Sequence, residues 1–357
     1  MAKIISIPLA IIMLLFSWII PGEKPEVNKD EWQTNYKYVW VHGLMGWGSY
    51  DFYYDIFPYW GVLNGDLMKK LNKVGYDCYA ASVAGTASAW DRACELYAQL
   101  TGTVVDYGAA HSARCGHDRY GKDFTGKALI DEWDSTNKIN ILGHSFGGAT
   151  VRLFASLMAV GSEEEMNASP NDVSPFFTGG KADWIYSVTS LAAPHNGTSA
   201  YDSMTTDIDS AAYDMYIDNA LELNKTIVTS EDTYYFSIAC SATDKQADGT
   251  YAVDGAIMEK MFQSSANEIG RYTGLTEGGF EIDETWLEND GLVNTVSALA
   301  PSSAPSKEYD ASSVEKGVWN IMPVYRGDHM SLQGGFSKVN SDIFSYYVNY
   351  LDMINGL

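Results

Sequence analysis

Apolar positions along this chain follow two rhythms. Short, nearly unbroken apolar and aromatic runs at residues 36–41, 76–83 and 138–142 have the length and composition of buried strands. Other segments place apolar residues every three or four positions, the spacing of a helix with one buried face. These are residues 67–74, closed by Gly75, and residues 90–100, 149–158 and 339–354. Residues 51–58 read as an aromatic-rich loop. Strands and helices interleave, as in an α/β fold, and no linker, repeat or low-complexity tract divides the chain.

The first residues have a different character. Lys3 precedes an apolar run over residues 4–20 broken only by Ser6, Pro8 and Ser17, the pattern of a secretory signal peptide. Residues 16–20 lack the small side chains of a cleavage site, so an uncleaved N-terminal membrane anchor is the alternative. Either way the folded part is expected to be secreted or otherwise extracytoplasmic. Residues 21–34 read as a tether, and residues 35–357 as a single domain. The apolar share of 46% is ample for a large core, and the net charge of −23 argues against a nucleic-acid partner. No protein partner is implied. Cys78, Cys94, Cys115 and Cys240 are too few and scattered for a disulfide framework. Cys94 and Cys240 fall in helical and strand patterns and read as buried thiols.

The chemistry centres on Gly143-His144-Ser145-Phe146-Gly147-Gly148, placed between the strand at 138–142 and the helix at 149–158. Gly-x-Ser-x-Gly in that setting is a nucleophile elbow, whose glycines let the chain turn sharply enough to expose the serine hydroxyl. The helix N-terminus behind Ser145 offers the N–H of Phe146 to a developing oxyanion. The glycine-rich loop at 42–48, following the strand at 36–41, would supply a second N–H, from Leu44. His42 and His144 flank this site and read as structural rather than catalytic. A separate loop holds His111 and His117 six residues apart, with Asp91 twenty residues before His111. Two imidazoles and a carboxylate suit zinc, although such a pair is more often solvated or satisfied in the core.

Several longer blocks carry a resemblance. They are residues 42–48, 90–99, 106–117, 187–198, 286–297 and 316–320, in that order. Together they resemble the zinc-containing bacterial lipases, the thermoalkalophilic and staphylococcal-type group of α/β-hydrolases. The resemblance implies a mostly parallel central sheet flanked by helices, with a small zinc-pinned subdomain. It also implies ester hydrolysis of lipids or small esters by a triad of Ser145, Asp290 and His329. Asp283 and Glu288 are nearby alternatives for the acid, while His329 is the only histidine after His195. The family's structural zinc ligands fall on Asp91, His111, His117 and Asp214, with Asp209 and Asp218 close rivals for the last.

Two departures from the family stand out. Its calcium carboxylates are replaced here by Ser331 and Phe336, so calcium is not expected at that place. The family's lid insertion is reduced to residues 199–213, which would reach only about 22 Å even as one continuous helix. An open cleft is therefore expected, unless residues 161–181 or 246–281 supply a substitute cover. An open cleft could admit bulky acyl chains, including polyesters. An acyltransferase would use the same triad, a peptidase is disfavoured by the resemblance alone, and a binding-only fold would need a broken triad.

Overall fold

The computed structural model describes residues 27–62, 64–201, 207–335 and 342–357. The N-terminal apolar run, the first part of the tether and Phe336 lie outside them. Among the described residues no helix is long and apolar enough to cross a membrane.

Seven strands form the central sheet: β1 (Lys37–Val41), β2 (Cys78–Ala81), β3 (Ile139–His144), β4 (Ile185–Leu191), β5 (Tyr234–Ile238), β6 (Ser306–Glu308) and β7 (Trp319–Ile321). They lie in the order β6-β7-β5-β4-β3-β1-β2, and every neighbouring pair is parallel. Parallel strands need crossover connections that cover both faces, which is why the central strands read as continuous apolar runs rather than alternating ones. On β1, Val39 and Val41 join the core on one face, and Tyr38 and Trp40 the core on the other. Among the polar residues admitted to this interior, Ser187 donates to Asn140 across the β3–β4 register at 2.6 Å.

Helix α1 (Leu67–Val74) begins at Asp66, whose carboxylate accepts the N–H of Lys69, and ends at Gly75 in the left-handed conformation. Helix α2 (Ala89–Thr101) begins where the Ser88 hydroxyl accepts the N–H of Asp91. Helix α3 (Ala109–Cys115) lies in the histidine-bearing loop, α4 (Phe146–Val160) follows the serine, and α5 (Ile343–Asn355) closes the chain. Helices α2 and α4 bury their apolar sides with Val39 and Val41, whereas α1 and α5 do so with Tyr38 and Trp40. The helix expected at 339–354 is thus observed from Ile343, its first positions lying outside the described residues.

The chain enters the sheet at β1, moves outward to β2, then returns past β1 to β3 and continues the other way. Strand order therefore reverses between β1 and β3, and the crevice at the carboxyl ends of those strands is where such sheets bind ligands. Cys78, Cys94 and Cys240 are buried, Cys115 is half-buried, and all four are free thiols.

Trp40 is fully buried, with the rings of Trp60 and Tyr347 at 4.8 and 4.7 Å. Trp40→Ala should cost about 3–5 kcal/mol, the usual loss for emptying a large aromatic site. Urea unfolding followed by circular dichroism checks this, and a loss under about 1 kcal/mol would mean that this ring does not anchor the core on its face of the sheet.

Candidate active site

Ser145 leaves β3 with φ 56° and ψ −129°, a conformation that a side-chain-bearing residue adopts only under constraint. The constraint comes from three close approaches, two to backbone and one to a side chain. A Cβ on Gly143 would sit 2.1 Å from the Gly147 carbonyl oxygen, and one on Gly147 would sit 2.4 Å from that of Val41. A Cβ on Gly148 would lie 2.3 Å from Ala193 Cβ. Only glycines let β1, β3 and α4 meet this tightly. The Ser145 N–H then donates to Leu191 at 2.8 Å, tying the turn to β4.

The other triad candidates arrive from loops beyond β5 and β7. His329 Nε2 lies 2.8 Å from Ser145 Oγ, and His329 Nδ1 lies 2.8 Å from Asp290 Oδ2. The second oxygen of Asp290 accepts the N–H groups of Leu292 and Val293 at 3.0 and 2.8 Å. All three residues are buried. Asp283 instead caps a short helix at the surface, accepting from Thr285. Ser145 and His329 form the floor of a cavity of about 640 Å³ whose walls include Leu44, Trp47, Met215 and Phe262.

The loop after β1 is held from behind. Val83 donates its N–H to His42 Nε2 at 3.2 Å, so the ring proton sits on Nδ1 and is donated to the Gly43 carbonyl at 2.8 Å. Arg92 donates to the carbonyls of His42, Gly43 and Ala84 and to the Thr150 hydroxyl. Burial, with the Arg92 charge beside it, pushes His42 down to about 3, and burial pushes Arg92 down to about 10. The ring is therefore neutral and the guanidinium charged near neutral pH. Because the peptide is planar and trans, a Gly43 carbonyl turned towards His42 and Arg92 sends the Leu44 N–H the opposite way.

A second cluster forms around α3. His111 Nε2 lies 3.0 Å from Asp91 Oδ1 and 3.4 Å from Asp209 Oδ1, while His117 Nε2 lies 3.3 Å from Asp209 Oδ2 and 3.9 Å from Asp91 Oδ1. Ligand atoms around a tetrahedral zinc stand about 3.4 Å apart, so these spacings fit one ion. Both His117 Nε2 and Asp209 Oδ1 are buried without a hydrogen-bond partner, which marks donor atoms turned to a common point. Cys115 belongs to the cluster, but its Sγ stands 3.9 Å from Nδ1 of His111, whereas both aspartates are on Nε2.

The expected fourth ligand, Asp214, is placed otherwise. Its carboxylate accepts the N–H of Ala89 at the start of α2, and burial pushes its pKa up to about 7. Asp209 stands where Asp214 was expected. Asp218, the other rival, accepts from Thr276 and Gly278 instead. The cluster itself is firmly seated: Trp90 stacks on His111 at 5.3 Å, and Glu165 accepts the N–H groups of Ala110 and His111.

Of the two segments considered as substitute covers, residues 161–181 thus contribute Glu165 to the α3 cluster. Residues 246–281 contribute Met261, Phe262 and Ser265 to the cavity. Ala200 and Tyr201, from the shortened stretch 199–213, also line it, and residues 202–206 lie outside the described residues.

The lipase-like, C-terminal domain family model matches residues 34–208 and 203–344. The chain belongs to that family. The sequence is 29% identical over 382 residues to lipase 2 of Staphylococcus aureus, covering 92% of this chain and 55% of that protein. The chain thus spans about half the length of the curated relatives it matches. EstA from Clostridium botulinum superposes with a TM-score of 0.84 at 30% identity, covering 100% of this chain and 99% of that one. Staphylococcus hyicus lipase gives a TM-score of 0.79 at 27% identity, over 94% and 98% of the two chains. With the parallel sheet and the strand–serine–helix turn, these neighbours give the chain the α/β-hydrolase fold.

Sequence reasoning missed the roles of Arg92 and Tyr59 around the loop after β1: Arg92 lies in the 90–99 block but was given no role, and Tyr59 belongs to no motif. It also missed Asp328. Ser331, one of the two replacements in the calcium pattern, is buried and donates to Asp328 Oδ1 at 3.0 Å. Asp328 also accepts the N–H of Met330 at 3.2 Å and, through Oδ2, that of Glu259 at 2.9 Å. The carboxylate thereby joins the histidine turn to the segment carrying Met261 and Phe262. Asp328→Ala removes the acceptor from one buried and two half-buried donors and should cost roughly 2–4 kcal/mol. Urea titration reads the loss, and limited proteolysis should show new cleavage at residues 254–262; unchanged protection there would dismiss the join.

Proposed function

We propose that this chain is a serine carboxylic-ester hydrolase acting on lipid or small acyl esters through Ser145, His329 and Asp290. The observation that carries the reading is the pair of 2.8 Å contacts running Ser145–His329–Asp290 beneath an apolar cavity. In the first half-reaction His329 Nε2 takes the Ser145 hydroxyl proton as Oγ bonds to the ester carbonyl carbon. The carbonyl electrons move to oxygen, held by the N–H groups of Leu44 and Phe146, each worth about a hundredfold or more in rate. The leaving alcohol departs with the proton from His329, and water repeats the sequence to release the acid and free Ser145. Asp290 keeps the imidazole oriented and balances its transient charge.

Zinc is the metal best suited to the α3 cluster, with Asp91, His111, His117 and Asp209 as its ligands. A site closed by four protein ligands stabilises the fold by joining α2, α3 and the 207–210 turn, and no step of the ester chemistry passes through it. An extracytoplasmic location, by signal peptide or N-terminal anchor, completes the proposal. It rests on Lys3 and the apolar run at residues 4–20.

The cavity mouth favours an open site. Met45 and Met261, both in its lining, are 74% and 73% exposed. An open cleft that takes bulky acyl groups, polyester chains included, is consistent with such a mouth, whereas nothing favours acyl transfer over hydrolysis.

With p-nitrophenyl esters of increasing chain length, Ser145→Ala should lower kcat at least about a thousandfold at every length. Activity retained in that variant sinks the mechanism. With tributyrin, the rate should rise smoothly through the solubility limit, and a sharp jump there would reveal a lid that opens at interfaces.

Elemental analysis should find one zinc per chain. Asp209→Asn should abolish zinc retention and lower the melting temperature, while Asp214→Asn should keep the metal. The opposite pattern would return the ligand role to Asp214.

A further inference from the structure

One buried hydrogen-bond path is left unused by the ester chemistry. His144 immediately precedes the serine at the end of β3. Its Nε2 lies 2.7 Å from the main-chain oxygen of His329, and its Nδ1 lies 2.7 Å from the Tyr59 hydroxyl. A carbonyl can only accept, so Nε2 carries the ring proton and Nδ1 accepts the proton of Tyr59. The Tyr59 oxygen in turn accepts the N–H of Gly43 at 3.1 Å. Burial, with the His329 ring beside it, pushes His144 down to about 3, so the ring is neutral near neutral pH and its two partners set the tautomer. The rings of Tyr59, Trp60 and His329 enclose it at 6.0, 6.1 and 5.0 Å.

We propose that His144 and Tyr59 are positioning residues that fix the base, the nucleophile and the oxyanion peptide relative to one another as a single unit. The proposal rests on the roles given above to Ser145, His329 and Leu44. A buried histidine must find partners wherever it lies. Here, however, the partners lead to the two other elements on which the reaction depends. The Nε2–H bond holds the His329 backbone against the residue next to Ser145, which sets the reach of the imidazole to Oγ. The Tyr59 bond holds the N–H of Gly43, while His42 and Arg92 hold its carbonyl from the other side. Both peptides flanking Gly43 are thereby fixed, and with them the direction of the Leu44 N–H. A displacement of about 1 Å in such an array costs on the order of a hundredfold in rate.

The experiment measures kcat, KM and melting temperature on p-nitrophenyl acetate, a substrate too small to depend on the cavity wall that Tyr59 helps form. Wild type and Ser145→Ala come first: activity surviving in Ser145→Ala defeats the parent reading, whatever the His144 and Tyr59 variants do. His144→Leu should then lower kcat about 10- to 100-fold with KM within about twofold. His144→Gln, whose amide can still donate to the His329 carbonyl, should recover much of that loss. Tyr59→Phe should also lower kcat, and the double variant His144→Leu/Tyr59→Phe should be no slower than His144→Leu alone, since both break one path. Wild-type kcat in His144→Leu, no recovery in His144→Gln, or multiplying losses in the double variant would each overturn the proposal. Should His144→Leu fail to fold, Tyr59→Phe decides: reduced kcat at unchanged melting temperature supports it, and wild-type kcat overturns it.

Discussion

Everything at the candidate site depends on one steric condition, the approach of β1, β3 and the first turn of α4 with no side chain between them. Gly143, Gly147 and Gly148 meet neighbouring atoms at distances that a Cβ cannot share. This contact fixes the left-handed turn at Ser145 and the direction of α4. It also sets the depth at which the loop after β1 passes the serine. The cost of holding Ser145 in that conformation is local, of order 1–3 kcal/mol. The surrounding sheet and its two apolar faces absorb it without difficulty.

Above that turn the interior is unusually polar for so buried a place. His42, Arg92 and His144 are all nearly inaccessible, yet each polar edge finds a partner of the right kind. Arg92 is the extreme case, since its charge is met by three carbonyl dipoles and a hydroxyl rather than by a carboxylate. A buried polar group left unpaired costs more than a paired one contributes, so such an array either forms completely or disrupts its surroundings. Its completeness makes the start of the loop at 42–48, His42 and Gly43, part of the core, although the loop's glycines alone suggest a flexible turn.

Features determined by neighbouring residues were legible in the sequence. The strand, serine and helix around Ser145 form one local pattern, and α1 carries its own cap at Asp66 and stop at Gly75. His329 could be singled out because no other histidine follows His195. The strands at residues 306–308 and 319–321 are too short to carry a period and owe their place to the sheet, through β7 pairing with β5. The choice between Asp209 and Asp214 was not readable either. Asp209 lies just before the short helix Ala211–Met215 and Asp214 within it, and what separates them is the distant N–H of Ala89, which occupies Asp214. Tyr59 and Arg92 gave no sign of these roles, since a tyrosine just past an aromatic loop and an arginine on a helix acquire meaning only from what the fold brings beside them.

Helix α2 carries Asp91 and Arg92 side by side, one turned to the histidine cluster and the other to the loop after β1. Adjacent helical positions point about 100° apart, so two neighbouring pockets are served by a single turn of backbone. That arrangement makes the pair a shared hinge pin rather than two separate fittings. Sliding the helix to suit one pocket drags the other residue by the same amount, and a single inserted residue would swing one of them out of place altogether. Variation in the histidine-bearing loop and variation in the loop after β1 are therefore mechanically linked, although the two sites have no atom in common.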